Sequence, residues 1–342
     1  MPLPARRRDS RSESLWAIGG FFGLTVVFVL VMDLGYPHWT DPEYAARRER
    51  LLNATAEHPD RPVLAVLGSS RTGTGFMPEE LGPVYAPDGR QAVVMNYSHL
   101  GSGPKMNLLQ LRRLLWDGVK PEWLVIEFFP GHLHNEASPF TELALRDVGV
   151  WLPYSNQARL IWQAARCRLQ SVHQYREAFL ESAAPAWATK REVRLLPLGG
   201  DDKWERKEGW SEGGLKALNE TIRLQYQQRM GDMQINPRLD AAQRDLLNLC
   251  RELGIPVVMV IFPEDPTFRS WYGPGVEERI QEYMRGLKEE FGVPIVDARD
   301  WMPPDDFNDP HHLITPGAKR FTARLEQEVI RPLVEGKAST AP

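Results

Sequence analysis

Val63-Leu64-Ala65-Val66-Leu67-Gly68-Ser69-Ser70-Arg71 decides how this 342-residue chain is read. Five consecutive apolar residues run straight into a Gly-Ser-Ser turn. A short, unbroken apolar run bounded by turn residues suits a strand buried on both faces, the pattern of a parallel sheet. Ala92–Met95 and Trp123–Ile126 repeat the pattern, Pro256–Phe262 repeats it far downstream, and Val293–Val296 adds a short fifth run. Helical patterns fit between them at about 104–116, 239–253, 275–290 and 315–333. Pro104 suits a first helical turn, where its missing N–H costs nothing. Strands alternating with helices predict an α/β fold, a doubly wound and mostly parallel sheet in three layers.

Residues 140–238 break this rhythm and are expected to form a helical insertion between the third and fourth strands. Within it, helices are expected at about 156–182 and 214–230, separated by a polar segment around 199–214.

The other departure lies at the start. Leu15 to Met32 spells LWAIGGFFGLTVVFVLVM, eighteen residues without a charge, behind Arg6, Arg7, Arg8 and Arg11. A bilayer core of roughly 30 Å needs about 20 apolar residues at 1.5 Å each, so the run suffices. Trp16, Tyr36 and Trp39 bracket it, where amphipathic rings prefer to sit. A cleaved signal peptide or a buried helix passes the same length test. However, no small-x-small cleavage site follows, and a buried helix leaves the arginine cluster unexplained. The expectation is an uncleaved signal anchor. Residues 1–14 form a cytoplasmic basic tip, 15–36 the transmembrane helix, and 37–61 a juxtamembrane helix or linker. Residues 62–333 form the α/β domain, and 334–342 a flexible tail. With the cationic side retained in the cytoplasm, the α/β domain lies outside, in the periplasm. Arg47, Arg48 and Arg50 reduce the charge asymmetry behind that orientation.

The composition is that of a globular protein: 42% hydrophobic, 25% charged, formal net charge -4. Disordered and collagen-like chains are excluded. A mean hydropathy of -0.39 excludes a multi-span membrane protein. Mild acidity gives nucleic acid no basic face to bind. Two cysteines, Cys167 and Cys250, allow at most one disulfide, and an oxidising exterior would permit it.

Two segments could carry chemistry. Ser70 follows the first strand directly, and turns at the carboxyl ends of a parallel sheet expose their side chains in the ligand crevice. Backbone N–H groups there can also face a developing anion. By itself Gly-Ser-Ser is common turn chemistry. The second segment is Asp306-Phe307-Asn308-Asp309-Pro310-His311-His312-Leu313, before a helix opening at Thr315-Pro316. Three residues apart on a loop or single turn, Asp309 can accept from the His312 imidazole and leave its other nitrogen free as a base. A serine hydroxyl is a weak nucleophile that needs such a base, and the base needs an orienting acid. Asp309 could instead cap the following turn. The paired histidines could ligate a metal, but a third firm ligand is not near in sequence.

These blocks in this order resemble the SGNH (GDSL-like) hydrolase superfamily: Ser70 after the first strand, Asn96 to Gly101 after the second, and Asp309/His312 before the last helix. The resemblance covers roughly 62–135 and 240–333 and implies an SGNH/flavodoxin-like sheet. The basic anchor, the GSSR block and the FNDPHHLITPGAKRFT ending look most like membrane-anchored bacterial relatives, among them the alginate-type O-acetyltransferases. Carried over, Ser70 would be the nucleophile, His312 the general base and Asp309 its orienter, with Ser70 and Gly101 N–H groups in the oxyanion hole. The family's third-block Asn falls near Gly131 here, and Asn135, His132, a backbone N–H or nothing could replace it.

Arg71, His132 and Glu264 are further candidates for contact with substrate; Arg71 could equally pair with a neighbouring carboxylate, and Glu264 could face solvent. Trp151, Trp162, Trp187, Trp204, Trp210 and Trp271 could stack on sugars or pack between helices.

The resemblance therefore implies an extracytoplasmic serine acyl-ester enzyme that needs no cofactor and no metal. Its expected chemistry is O-acyl transfer to, or removal from, a cell-envelope glycan, and transfer would require a membrane partner delivering the acyl donor. The rival expectation is a non-catalytic scaffold of an envelope polysaccharide assembly.

Overall fold

A computed structural model describes residues 10–36, 41–135, 143–154, 180, 184 and 212–337. These divide into two compact units. The first holds helix α1 (Ser10–Gly35). Its Ser12–Asp33 stretch has 22 residues of mean hydropathy 2.3, long enough for one membrane span. Leu15, Phe21, Leu24 and Val27 stand exposed along it.

The second unit contains α2 (Pro42–Glu57), β1 (Val63–Leu67), α3 (Ser70–Gly75), β2 (Val93–Asn96), α4 (Pro104–Trp116), β3 (Trp123–Glu127) and α5 (Gly131–His134). Helix α6 (Leu145–Trp151) belongs to the first unit. The second resumes with α7 (Glu212–Gly231), α8 (Pro237–Leu253), β4 (Val257–Ile261), α9 (Pro266–Arg269), α10 (Val276–Phe291) and β5 (Ile295–Asp297). A small hairpin, β6 (Phe307–Asp309) and β7 (His312–Leu313), leads into α11 (Thr315–Leu325).

Five parallel strands form one sheet in the order β2-β1-β3-β4-β5. β1, β3 and the last four residues of β4 are buried. Their alternate residues feed two cores. Leu64, Val66, Val125, Val258 and Val260 pack with Phe76, Phe321, Leu325 and Ile330. On the other face Leu124, Ile126, Met259 and Ile261 are equally buried, and Gln243 of α8 reaches the Met259 sulfur. Each such aliphatic side chain contributes about 1.5–3 kcal/mol on burial. The arrangement is a mostly parallel α/β sheet with flanking helices, consistent with three layers.

The expected strands and helices recur within one to two residues at most ends. Helix 315–333 differs inside: α11 passes through one π-helical turn, Glu326–Ile330, before its last segment Arg331–Val334. The loop expected around Asp309 is a hairpin instead. The expected helix at 156–182 and Trp162, Trp187, Trp204, Trp210 and Cys167 lie outside the described residues. Cys250 is a buried free thiol, its ionisation pushed up to about 12 by burial.

Candidate active site

The strand order reverses between β1 and β3, and there the connections from the two strands diverge to leave a crevice at the carboxyl edge. Ser70 is the first residue of α3, which starts one residue after the Gly68-Ser69 turn closes β1. Ser69 caps that helix: its Oγ accepts from the Arg71 N–H at 3.2 Å. As the first residue of α3, Ser70 has an N–H with no acceptor within the helix.

Glu127, the last residue of β3, holds the turn in place. Its carboxylate accepts from Ser69 N at 2.7 Å, Ser69 Oγ at 2.8 Å and Thr72 Oγ1 at 2.6 Å. Gly68 has no alternative at this approach: a Cβ there would lie 2.5 Å from Glu127 Oε2 and 2.0 Å from Thr72 Oγ1. The Arg71 side chain turns inward, donating to the Phe262 and Pro263 carbonyls at 2.7 and 3.1 Å, so β1 and β4 are tied together beneath Ser70.

The second block supports the same turn. Asn96 donates from Nδ2 to the carbonyls of Thr72 and Phe76 at 3.0 and 2.8 Å, closing the far end of α3. The His99 N–H donates to the Gly68 carbonyl at 2.8 Å, laying the 97–101 loop along the turn. Gly101 then takes a left-handed backbone, φ +67, that favours glycine. Helix α2 clamps this loop: Arg47, 1% exposed, donates to Ser98 Oγ at 3.1 Å, and Glu43 accepts from Leu100 N.

The hairpin brings the remaining groups. Pro310 has no N–H to offer, and the Asp309 carboxylate takes the turn's free donors, the N–H groups of His311 and His312, both at 2.9 Å. Asp265 N, at the start of the loop holding α9, donates to the Pro310 carbonyl at 3.1 Å. So fixed, Asp309 Oδ2 lies 2.7 Å from His312 Nδ1, and His312 Nε2 lies 2.8 Å from Ser70 Oγ. Burial alone would raise the Asp309 carboxyl, but His312 and His311 outweigh it and hold it well below the usual carboxylate range. An anionic acceptor at Nδ1 fixes the proton there and leaves Nε2 to accept from the serine hydroxyl. Chemically, such a set can activate a hydroxyl nucleophile.

Asp309, His311 and His312 also present donor atoms within 4.8 Å of one another, a spacing that could hold a metal ion. Both Asp309 oxygens and both His312 nitrogens are already engaged in hydrogen bonds, however.

Among the other sequence candidates, Arg71 and Glu264 are buried and meet each other at 3.3 Å. Tyr272 donates to Glu264 at 3.0 Å, and burial raises the Glu264 carboxyl against the pull of Arg71 and Arg299. His132 is 5% exposed beside Phe129; burial, then Arg229 and Arg71, bring its ionisation down to about 3. Asn135 ends α5 as an exposed residue, while the β3 side chain turned to the site is Glu127. Trp151 is fully buried, and Trp271 packs at 5.2 Å on Phe268. Sequence reasoning missed Glu127 and Tyr226, and considered His311 only as a metal ligand. A carboxylate closing an otherwise apolar strand was the available signal for Glu127; Tyr226 carried none.

A protein-family profile that carries no descriptive name matches residues 214–334, which include Asp309 and His312 but not Ser70. No curated protein matches the chain. Among solved structures, the chain is similar to a Bacteroides fragilis protein assigned as an acylhydrolase: 13% identity over 83% of this chain and 96% of that one, TM-score 0.37. It is also similar to a Streptococcus pneumoniae protein assigned as a platelet activating factor, 9% identical over 84% and 94%, TM-score 0.37. A third is a catalytic mutant of an acetylxylan esterase from Geobacillus stearothermophilus, 13% identical over 78% and 93%, TM-score 0.31. With TM-scores this low, the functional reading rests on the site itself.

Proposed function

We propose that this chain is a membrane-anchored, extracytoplasmic serine enzyme of acyl esters, its basic tip cytoplasmic and its α/β domain periplasmic. Its reaction is O-acyl transfer, in the first place of acetyl, to or from a cell-envelope polysaccharide. One observation carries the catalytic part: the Ser70 Oγ–His312 Nε2 and His312 Nδ1–Asp309 Oδ2 contacts at 2.8 and 2.7 Å. The anchor reading rests on α1, and the acetyl and polysaccharide parts rest on the sequence resemblance.

In this reading the Ser70 oxygen attacks the ester carbonyl while His312 Nε2 takes its proton. The oxyanion faces the Ser70 and Gly101 N–H groups. Each well-placed donor of this kind is worth about 2.7–4 kcal/mol of barrier. Collapse breaks the C–O bond of the leaving alcohol, which takes the proton back from His312 and leaves acyl-Ser70. Water or a sugar hydroxyl then attacks, again giving its proton to His312, and Ser70 is restored. Asp309 remains a carboxylate throughout and steadies the imidazolium. Arg71 adjoins Ser70 in sequence, and Arg71 and Glu264 act by bracing the crevice from beneath.

One observation favours the second reading, a non-catalytic binding scaffold. β3 ends in Glu127, whose carboxylate is occupied by the turn, so the family's side-chain oxyanion donor has no counterpart on that strand. Turnover of a chromogenic acetyl ester by the full chain separates the two. The enzyme reading expects turnover that Ser70→Ala abolishes; equal rates in both chains would overturn it. A sugar acceptor added to the same assay divides transfer from hydrolysis.

A further inference from the structure

We propose that Tyr226 and His311 extend the hydrogen-bond series behind Asp309. His311 positions the carboxylate through its Nδ1–H, and Tyr226 donates its hydroxyl proton to His311 Nε2. The kinetic consequence rests on the catalytic reading of Ser70; the hydrogen-bond series itself does not.

His311 lies in an aromatic pocket. Its ring stacks on Phe268 at 5.2 Å and 24°, and the Tyr226 ring meets it edge-on at 5.0 Å. Only 6% of it is exposed. Nδ1 is buried 3.2 Å from Asp309 Oδ1, not yet aligned as a hydrogen bond, and Nε2 lies 3.4 Å from the Tyr226 hydroxyl. A buried ring nitrogen needs a partner, and a bare lone pair this close to a carboxylate oxygen would be repelled, so Nδ1 carries the proton and a small turn of the ring brings it into line with Asp309.

The ring stays neutral. Burial, then the neighbouring His312, bring its ionisation down to about 4 against the pull of Asp309. With one proton, placed at Nδ1, Nε2 must accept, and burial keeps the Tyr226 hydroxyl protonated to supply the donor. Apart from Asp309, the charged and titratable groups around His311 oppose a cation there. His312 and Asp309 adjoin it in the hairpin, Arg71 approaches from α3, His132 from α5, and Arg229 lies on α7 beside Tyr226.

A neutral His311 has a use. Its ring centroid is 4.0 Å from that of His312, so a second cation there would oppose the imidazolium that a serine mechanism forms. The donor at Asp309 Oδ1 leaves Oδ2 for His312 and removes one way for the carboxylate to rotate. Tyr226 comes from α7, in the stretch expected to be an insertion, so that helix contributes to the site rather than merely decorating the fold.

The test is the tautomer of His311 in the full chain, labelled with 15N-histidine in detergent and read by long-range 1H–15N correlation, with His311→Asn identifying its signals. The series predicts a protonated Nδ1 and a bare Nε2, constant from about pH 5.5 to 8, and an Nε2 shift in Tyr226→Phe. An Nε2–H tautomer, or a titration centred near 6.5, would overturn it. Kinetics supply the second arm. His311→Phe fills the ring space without a donor and should lower kcat about tenfold at unchanged KM, the size of one hydrogen bond to a charged group. His311→Asn keeps an N–H where Nδ1 stood and should recover to within about threefold of the native rate. Equal kcat in the Phe and Asn variants would overturn the positioning role. If Ser70→Ala left turnover intact, the catalytic reading alone would fall, and the tautomer would still decide the series.

Discussion

His312 Nε2 lies 2.8 Å from Ser70 Oγ, joining residues 242 positions apart in the chain. The two come from elements that could fold without meeting. Ser70 opens the helix after β1, and His312 stands on the hairpin before α11. α11 packs against α3, and the hairpin beside α3 follows from that contact.

If the pair acts as a unit, His312→Ala should lose about as much kcat/KM on an acetyl ester as Ser70→Ala, each on the order of 10^3-fold or more. The double variant should be no worse than either single one. Steady-state rates of the three variants check this, and a His312→Ala rate near the native value would remove the base.

Glu127 accepts from Ser69 and Thr72 on both backbone and side chain. Glu127→Gln replaces one acceptor oxygen by a donor in a buried site and leaves donors facing donors. The expected cost is about 2–4 kcal/mol of stability, read by denaturant unfolding, together with a fall in kcat. An unchanged midpoint would mean that the turn holds its shape without the carboxylate.

His311 and His132 are kept neutral, with ionisation brought down to about 4 and about 3. In the unfolded chain each would take up a proton near pH 6.5. Lowered folded values mean that their contribution is fully present above about pH 6.5 and is lost as pH falls toward 4 and then 3. Thermal melts should therefore show Tm falling by several degrees between about pH 7 and 4.5, a loss on the order of a few kcal/mol. Asp309, also lowered, adds its loss only below the ordinary carboxylate range. A flat Tm across that window would contradict the buried neutral state.

Helix α1 exposes Leu24 and Phe28 near its middle. If it spans a bilayer, the full chain should stay with membranes through an alkaline carbonate wash. Leu24→Lys with Phe28→Lys should move it to the soluble fraction, since a lysine at mid-helix costs about 2.5–3.5 kcal/mol of insertion. Release of the native chain by the wash would contradict the span.

Much of the sheet was legible because burial on both faces leaves an unbroken apolar signature: Val63–Leu67 and Trp123–Ile126 needed no partner to be recognised. Asp309 and His312 were legible because their relation is local, three residues apart on one turn. Glu127 was hidden by its place at the end of an apolar run, where one carboxylate looks like a strand terminus. The hairpin was hidden because two short strands leave almost no periodicity. Tyr226 and His311 meet across 85 positions, and no local pattern encodes such a contact. Arg47 looked like a charge beside a membrane and is instead buried against the 97–101 loop.

The most direct test of the central claim is labelling of the full chain with a fluorophosphonate that reacts only with activated serines. Stoichiometric labelling is expected at Ser70, absent from a Ser70→Ala chain whose folding is verified by circular dichroism. A folded native chain that takes no label, or a Ser70→Ala chain that takes as much, would contradict it.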